Sequence, residues 1–144
     1  MKRILSVLSL IAAVMMIASC EGGAETTATT KATALPLHGY TIAGNDITFY
    51  MNEVDYPSFD EVESMTLAGE FNGWDPAAAE WQMTDDDGDK VWEFKTTLDK
   101  TPVGSKFKYV SNQVDWNQPA ADKLDKKYLA DDGFGGFNLV IVAE

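Results

Sequence analysis

The chain has 144 residues, with 23 acidic against 11 basic side chains and a formal net charge of −12, which is room for one ordinary domain and not two. Lys2 and Arg3 stand apart at the start, and beyond them nine lysines and no arginine face all 23 acids, a net −14. Such a surface repels phosphate backbones and anionic headgroups, which argues against nucleic acid as a partner and against membrane contact through a basic patch. A neutral ligand is indifferent to it.

Residues 1–20 read as a leader. Lys2-Arg3 is a positive n-region, and Ile4 to Ile17 is an apolar run too short to remain as a membrane anchor. Ile17-Ala18-Ser19-Cys20 follows, and Cys20 is the only cysteine in the chain. That tetrapeptide resembles the lipobox of bacterial lipoprotein signal peptides, which implies cleavage before Cys20 and a diacylglycerol thioether on it. The other use is an ordinary secretory signal with an incidental cysteine. A lone cysteine excludes an intrachain disulfide or a Cys-based zinc site. Residues 21–36, rich in Thr, Ala and Gly without periodicity, read as a flexible tether. The remaining residues, 37–144, form the domain.

Asp46 to Asn52 is the first clear strand, with Ile47, Phe49 and Met51 on one face. Ser64 to Phe71 is the next, with Met65, Leu67, Gly69 and Phe71 buried and Thr66, Ala68 and Glu70 outward. Asn72-Gly73 then turns the chain and Asp75-Pro76 closes the segment. Trp74 sits on this turn. A rigidly held indole on a loop suits the apolar C–H face of a sugar ring, or it folds back as a lid on the core; the turn alone leaves both open. Ala77 to Glu80 fits one helical turn. Trp81, in company with Met83, leans toward the core edge, and Asp85 to Asp89 has hairpin-tip composition.

Lys90 to Leu98 alternates with Trp92, Phe94 and Leu98 inward. Lys106 to Ser111 puts Phe107 and Tyr109 inward and Lys106 and Lys108 outward. A polar loop from Asn112 to Gly133 carries Trp116 and Pro119. The last strand, Phe137 to Ala143, is apolar on both faces, as expected of a strand inside its sheet. About six short strands separated by turns make an all-β antiparallel sandwich.

Catalytic and metal constellations are weak. The acidic run at Asp85 lacks the EF-hand glycine spacing and suits a solvated hairpin tip. Glu70 and Asp75 lie near the Trp74 turn, but a small sandwich with short loops offers no cleft to raise an acid's pKa. His38 has no second ligand or nucleophile beside it. No cofactor motif is present, and an enzyme is not expected.

Leu67-Ala68-Gly69-Glu70-Phe71-Asn72-Gly73-Trp74-Asp75-Pro76, with Met83-Thr84, Asp87-Gly88, Trp92-Glu93, Gly104 and Lys106-Phe107-Lys108-Tyr109, resembles the family 48 carbohydrate-binding modules. These include the glycogen-binding domain of the β subunit of AMP-activated protein kinase and the N-terminal modules of branching and debranching enzymes. The likeness spans Asp46 to Glu144. It implies an early-set immunoglobulin-like β-sandwich that binds α-1,4-glucan. The family's two stacking tryptophans fall on Trp74 and Trp116, its lysine on Lys108, its asparagine on Asn138, and its apolar loop residue on Phe134. Val110 to Asp115 departs from the family's Val-Asp-Gly, and the loop at Ala77 to Glu80 is longer.

The expectation is therefore a lipid-anchored protein of the bacterial cell envelope that binds α-glucan polysaccharide or oligosaccharide without cleaving it. Glu21 after the cysteine resembles an outer-membrane or surface lipoprotein signal. A separate glucan-processing enzyme or transporter is a compatible partner. The rivals are an envelope scaffold that keeps the fold for protein contacts and a small hydrolase using Glu70 or Asp75. Exposure separates the first two: a glycan platform needs Trp74 and Trp116 open to solvent on one face with Lys108.

Overall fold

The computed structural model describes residues 34–56 and 61–143. The expected leader, Cys20 as the expected lipidation site and most of the expected tether lie outside them. No helix among the described residues is long and apolar enough to cross a membrane.

Two antiparallel sheets pack face to face as a β-sandwich, as the alternation implied. The smaller has the order β1 (Tyr40–Ala43), β2 (Asp46–Asn52), β4 (Val91–Thr97). The larger runs β3 (Met65–Gly69), β5 (Lys106–Ser111), β8 (Phe137–Val140), β7 (Leu129–Asp131), with the two-residue β6 (Asp115–Trp116) also on β5. β8 lies between β5 and β7, inside its sheet, as its two-sided apolar pattern required.

The inward residues of the two sheets meet in an aromatic core. Tyr40, Phe49, Phe107 and Tyr109 are essentially inaccessible, and their rings meet in tilted and edge-to-face pairs 5.1–6.1 Å apart. Two hydroxyls tie the layers together. Tyr40 Oη donates to Val140 O at 3.1 Å and accepts from Val142 N at 2.7 Å, while Tyr109 Oη donates to Gly39 O. Burial raises the Tyr109 hydroxyl well above its ordinary pKa and fixes it as a neutral donor.

Several elements differ from the sequence reading. β1 precedes the strand read as the first, and the long polar loop contains β6, a 3-10 turn over Lys126–Tyr128 and β7. The turn after Pro76 is a 3-10 turn over Ala79–Trp81. Trp81 belongs to the core with Met83, the side toward which the sequence leaned, stacked on Phe71 at 4.6 Å and packed against Phe94 at 5.3 Å. All five residues of β3 are buried, not just one face.

Candidate functional site

The outer face of the larger sheet is set by its register. β3 pairs with one edge of β5, placing Ala68 opposite Lys108 and Thr66 opposite Val110. The other edge of β5 is shared: β8 takes Lys106 and Phe107, and β6 takes Val110 and Ser111. Lys108 therefore stands in the gap between the two pairings. Trp116 lies opposite Val110, and Asn138 lies opposite Ala130 on β7.

Three turns rise around this gap. The first follows β3. Gly69 is obligatory there, because a Cβ would come within 2.6 Å of Lys106 O and 2.7 Å of the Phe71 ring. Asn72 accepts from Gly69 N at 2.9 Å through Oδ1 and donates to Leu67 O at 2.9 Å, bolting the turn to the strand that precedes it. Phe71 goes down onto Trp81. Gly73 and then Trp74 adopt positive φ, +66° and +62°, and the Trp74 N–H donates to Gly69 O. A bulky residue in the left-handed region is an uncommon, strained conformation. Its effect is to turn the indole away from the core that Phe71 enters.

The second turn leads into β6. Asn112 and Gln113, with φ of +52° and +63°, are the central residues of a tight turn closed by the Val114 N–H donating to Ser111 O at 3.1 Å. The Asn117 amide Nδ2 donates to Tyr109 O, Ser111 Oγ and Asp115 O, holding the segment against β5 and leaving Trp116 raised above it.

The third is the β7–β8 hairpin, Asp132-Gly133-Phe134-Gly135-Gly136. Asp132 organises it. Its Oδ1 accepts from Phe134 N and Gly136 N at 2.9 Å each, and its Oδ2 accepts from Lys108 Nζ at 2.6 Å and Gln118 Nε2 at 3.4 Å. The Lys108 hydrogen bond and then the Phe134 N–H hold this carboxyl well below the usual carboxylate range; partial desolvation opposes them, and the Gly136 N–H adds to the lowering. Phe134 stands at the tip, 96 % exposed.

Together these elements enclose an open recess of about 640 Å³ lined by Trp74, Lys108, Trp116, Phe134 and Asn138, with Glu70, Lys106, Gln118, Asp131 and Asp132. All five residues singled out from the sequence line it. Trp116 is 39 % exposed and Trp74 partly exposed, so neither indole is a lid on the core. Their rings lie 6.3 Å apart and tilted by 44°, adjoining walls and not one flat platform. Asn138 is only 8 % exposed, and its side-chain amide takes no hydrogen bond among the described residues while facing the recess.

Lys108 requires a correction. It points to the outer face as alternation demands, yet it is 5 % exposed, because the β7–β8 hairpin folds over it and Asp132 pairs with it. Asp132 and Gln118 were not found from sequence. The signal available was the run Asp131-Asp132-Gly133, where an Asx-type turn is expected from composition.

The other carboxylates at the recess are engaged as well. Glu70 accepts from Lys106 N at 3.0 Å and pairs with Lys106 Nζ at 3.4 Å, and Asp131 accepts from Gly133 N at 2.7 Å. Asp75 lies outside the lining and caps its own loop through Ala77 N. At the far hairpin, Asp85, Asp87 and Asp89 bring carboxylate oxygens within 4.8 Å of one another; Asp85 spends its own on the N–H groups of Gly88, Asp89 and Lys90. Compared with known proteins, the chain matches no family model and no curated protein.

Proposed function

We propose that this recess binds a neutral α-glucan chain non-catalytically, and that the protein is a carbohydrate-binding module of the family 48 type carried on a lipoprotein. The observation that carries this reading is the convergence, in one open recess, of two solvent-reaching indoles and an asparagine whose side-chain amide takes no hydrogen bond among the described residues. Indoles offer apolar faces to the C–H surfaces of pyranose rings, worth about 1–2 kcal/mol each by analogy with other stacking surfaces. An amide at the recess wall offers a sugar hydroxyl both a donor and an acceptor. Two walls inclined at 44° suit a curved chain, as α-1,4 linkages give, better than a flat ribbon. Phe134 at the hairpin tip offers a third apolar surface. Lys108, paired with Asp132, keeps donors for a sugar hydroxyl.

Hydrolysis is disfavoured because Glu70, Asp131 and Asp132 are each committed to a hydrogen bond or ion pair that shapes the recess, which leaves no free acid and nucleophile pair. An open site of this kind binds weakly, with Kd on the order of micromolar to millimolar. The lipid on Cys20 would hold the domain at the cell envelope, at the outer membrane or cell surface, where it presents glucan to a separate enzyme or transporter.

The test is depletion of the protein on insoluble starch and glycogen beside cellulose, with Trp74→Ala and Trp116→Ala as controls. Retention on the α-glucans alone, lost in both variants, supports the reading. Passage of the folded wild type through all three polymers overturns it in favour of a scaffold that uses this fold for protein contacts.

A further inference from the structure

The recess contains two lysines and three carboxylates, and the way they pair has a bearing on what enters. Lys106 is neutralised by Glu70 at 3.4 Å and Lys108 by Asp132 at 2.6 Å, and Asp131 stands at the lining with no lysine beside it. The Lys108–Asp132 pair is covered on both sides, with side-chain exposures of 6 % and 5 %. A cation so placed would attract a phosphate or uronate strongly if it were left alone, because the covered environment screens it little. Its partner removes that attraction.

From this pairing, and resting on the glucan reading above, we infer that Asp132 is a specificity-determining residue: it cancels the Lys108 charge and, with Asp131, makes the recess accept neutral sugars and refuse anionic ones. Lys108 then acts as an oriented hydrogen-bond donor and not as a free positive charge. Asp132 does this from a fixed position. Its second oxygen is held by the N–H groups of Phe134 and Gly136, so the carboxylate cannot swing away to let the lysine meet an anion. Gly136 leaves room for it: a Cβ there would meet Asp132 Oδ2 at 2.8 Å and collide with Gln118 Oε1. The lowered proton affinity of Asp132, set by Lys108 and the hairpin N–H groups, keeps the cancelling charge in place at neutral pH.

The experiment measures Kd for maltoheptaose and for the same oligosaccharide carrying one phosphate monoester, at low and raised salt. The proteins are wild type, Asp132→Asn, Asp132→Asn/Lys108→Gln and Asp131→Asn, each checked for native tryptophan circular dichroism. Wild type should favour the neutral sugar by about tenfold or more. Asp132→Asn should shift that ratio about tenfold toward the phosphorylated sugar, with the gain lost at raised salt. The double variant, neutral again at this position, should return to the wild-type ratio even if both affinities fall. Asp131→Asn, which keeps the acceptor for Gly133, should move the ratio the same way by less, and it serves as the readout if Asp132→Asn does not fold. A ratio unmoved in the folded variants, with both affinities falling together, overturns the inference and leaves Asp132 a structural residue. Wild type that binds neither sugar overturns the glucan reading itself, and the inference with it.

Discussion

The two sheets share one core but treat their outer faces differently. On the smaller sheet, Thr48 pairs with Lys95 and Tyr50 with Glu93, and these side chains reach solvent; Lys95 meets Glu93 in an exposed pair at 3.5 Å. On the larger sheet, Thr66, Ala68 and Val110 are fully covered, and Lys108 and Asn138 nearly so. The strand alternation is the same in both. What differs is that three turns, each pinned by an Asn or Asp side chain, fold over the larger sheet and stop short of closing. A sheet face becomes a walled recess here because its loops rise around it, with small residues such as Ala68 in the sheet below.

That contrast can be broken most severely from inside. Phe107→Ala removes a ring common to both sheets and should lower stability by about 3–5 kcal/mol in denaturant unfolding. Next comes Gly69→Ala, whose extra methyl collides with Lys106 O and Phe71. It should cost about 1–3 kcal/mol and abolish glucan retention, since the same turn carries Trp74. Asn72→Ala leaves Gly69 N and Leu67 O unpaired and should cost about 1–2 kcal/mol, with weaker retention on starch. Lys95→Ala on the smaller sheet should change stability by less than about 0.5 kcal/mol and leave retention intact.

Acidity sharpens the same comparison. The Asp132 carboxyl has a lowered folded pKa, so its contribution is complete above the ordinary carboxylate value and disappears as pH falls through the folded value. The β7–β8 hairpin should therefore stay closed over Lys108 from neutral pH down to about pH 4. The check is backbone amide chemical shifts of Phe134 and Gly136 followed by pH titration. A midpoint for those amides between neutrality and that limit would contradict the pairing.

Much of this was legible in the sequence, and the limits have physical causes. Alternation located Ile47, Phe49, Met51, Phe107 and Tyr109 on the inward faces because burial on one side imposes period 2. The Phe71–Trp74 turn was visible because Asn-Gly and Asp-Pro have strong local preferences. β1, β6 and β7 were not visible, since strands of two to four residues leave too few positions to show a period. Lys108 was placed on the correct face but expected in solvent, because alternation records direction and not what a distant hairpin covers. Asp132 was hidden for the same reason: its partner is 24 residues away. The 44° angle between Trp74 and Trp116 depends on two separate turns, and no local pattern encodes it.

The four tryptophans offer the most direct test, because two line the recess and two lie elsewhere. Trp81 is in the core, the Trp92 indole N–H donates to Glu53 at 3.0 Å, and Trp74 and Trp116 line the recess. Their indole N–H resonances, assigned by substitution, would be followed while maltoheptaose is added to the protein. Saturable shifts of Trp74 and Trp116, with Trp81 and Trp92 unmoved, are expected. Shifts confined to Trp92, or none at all at millimolar sugar, would contradict a glucan site on the larger sheet.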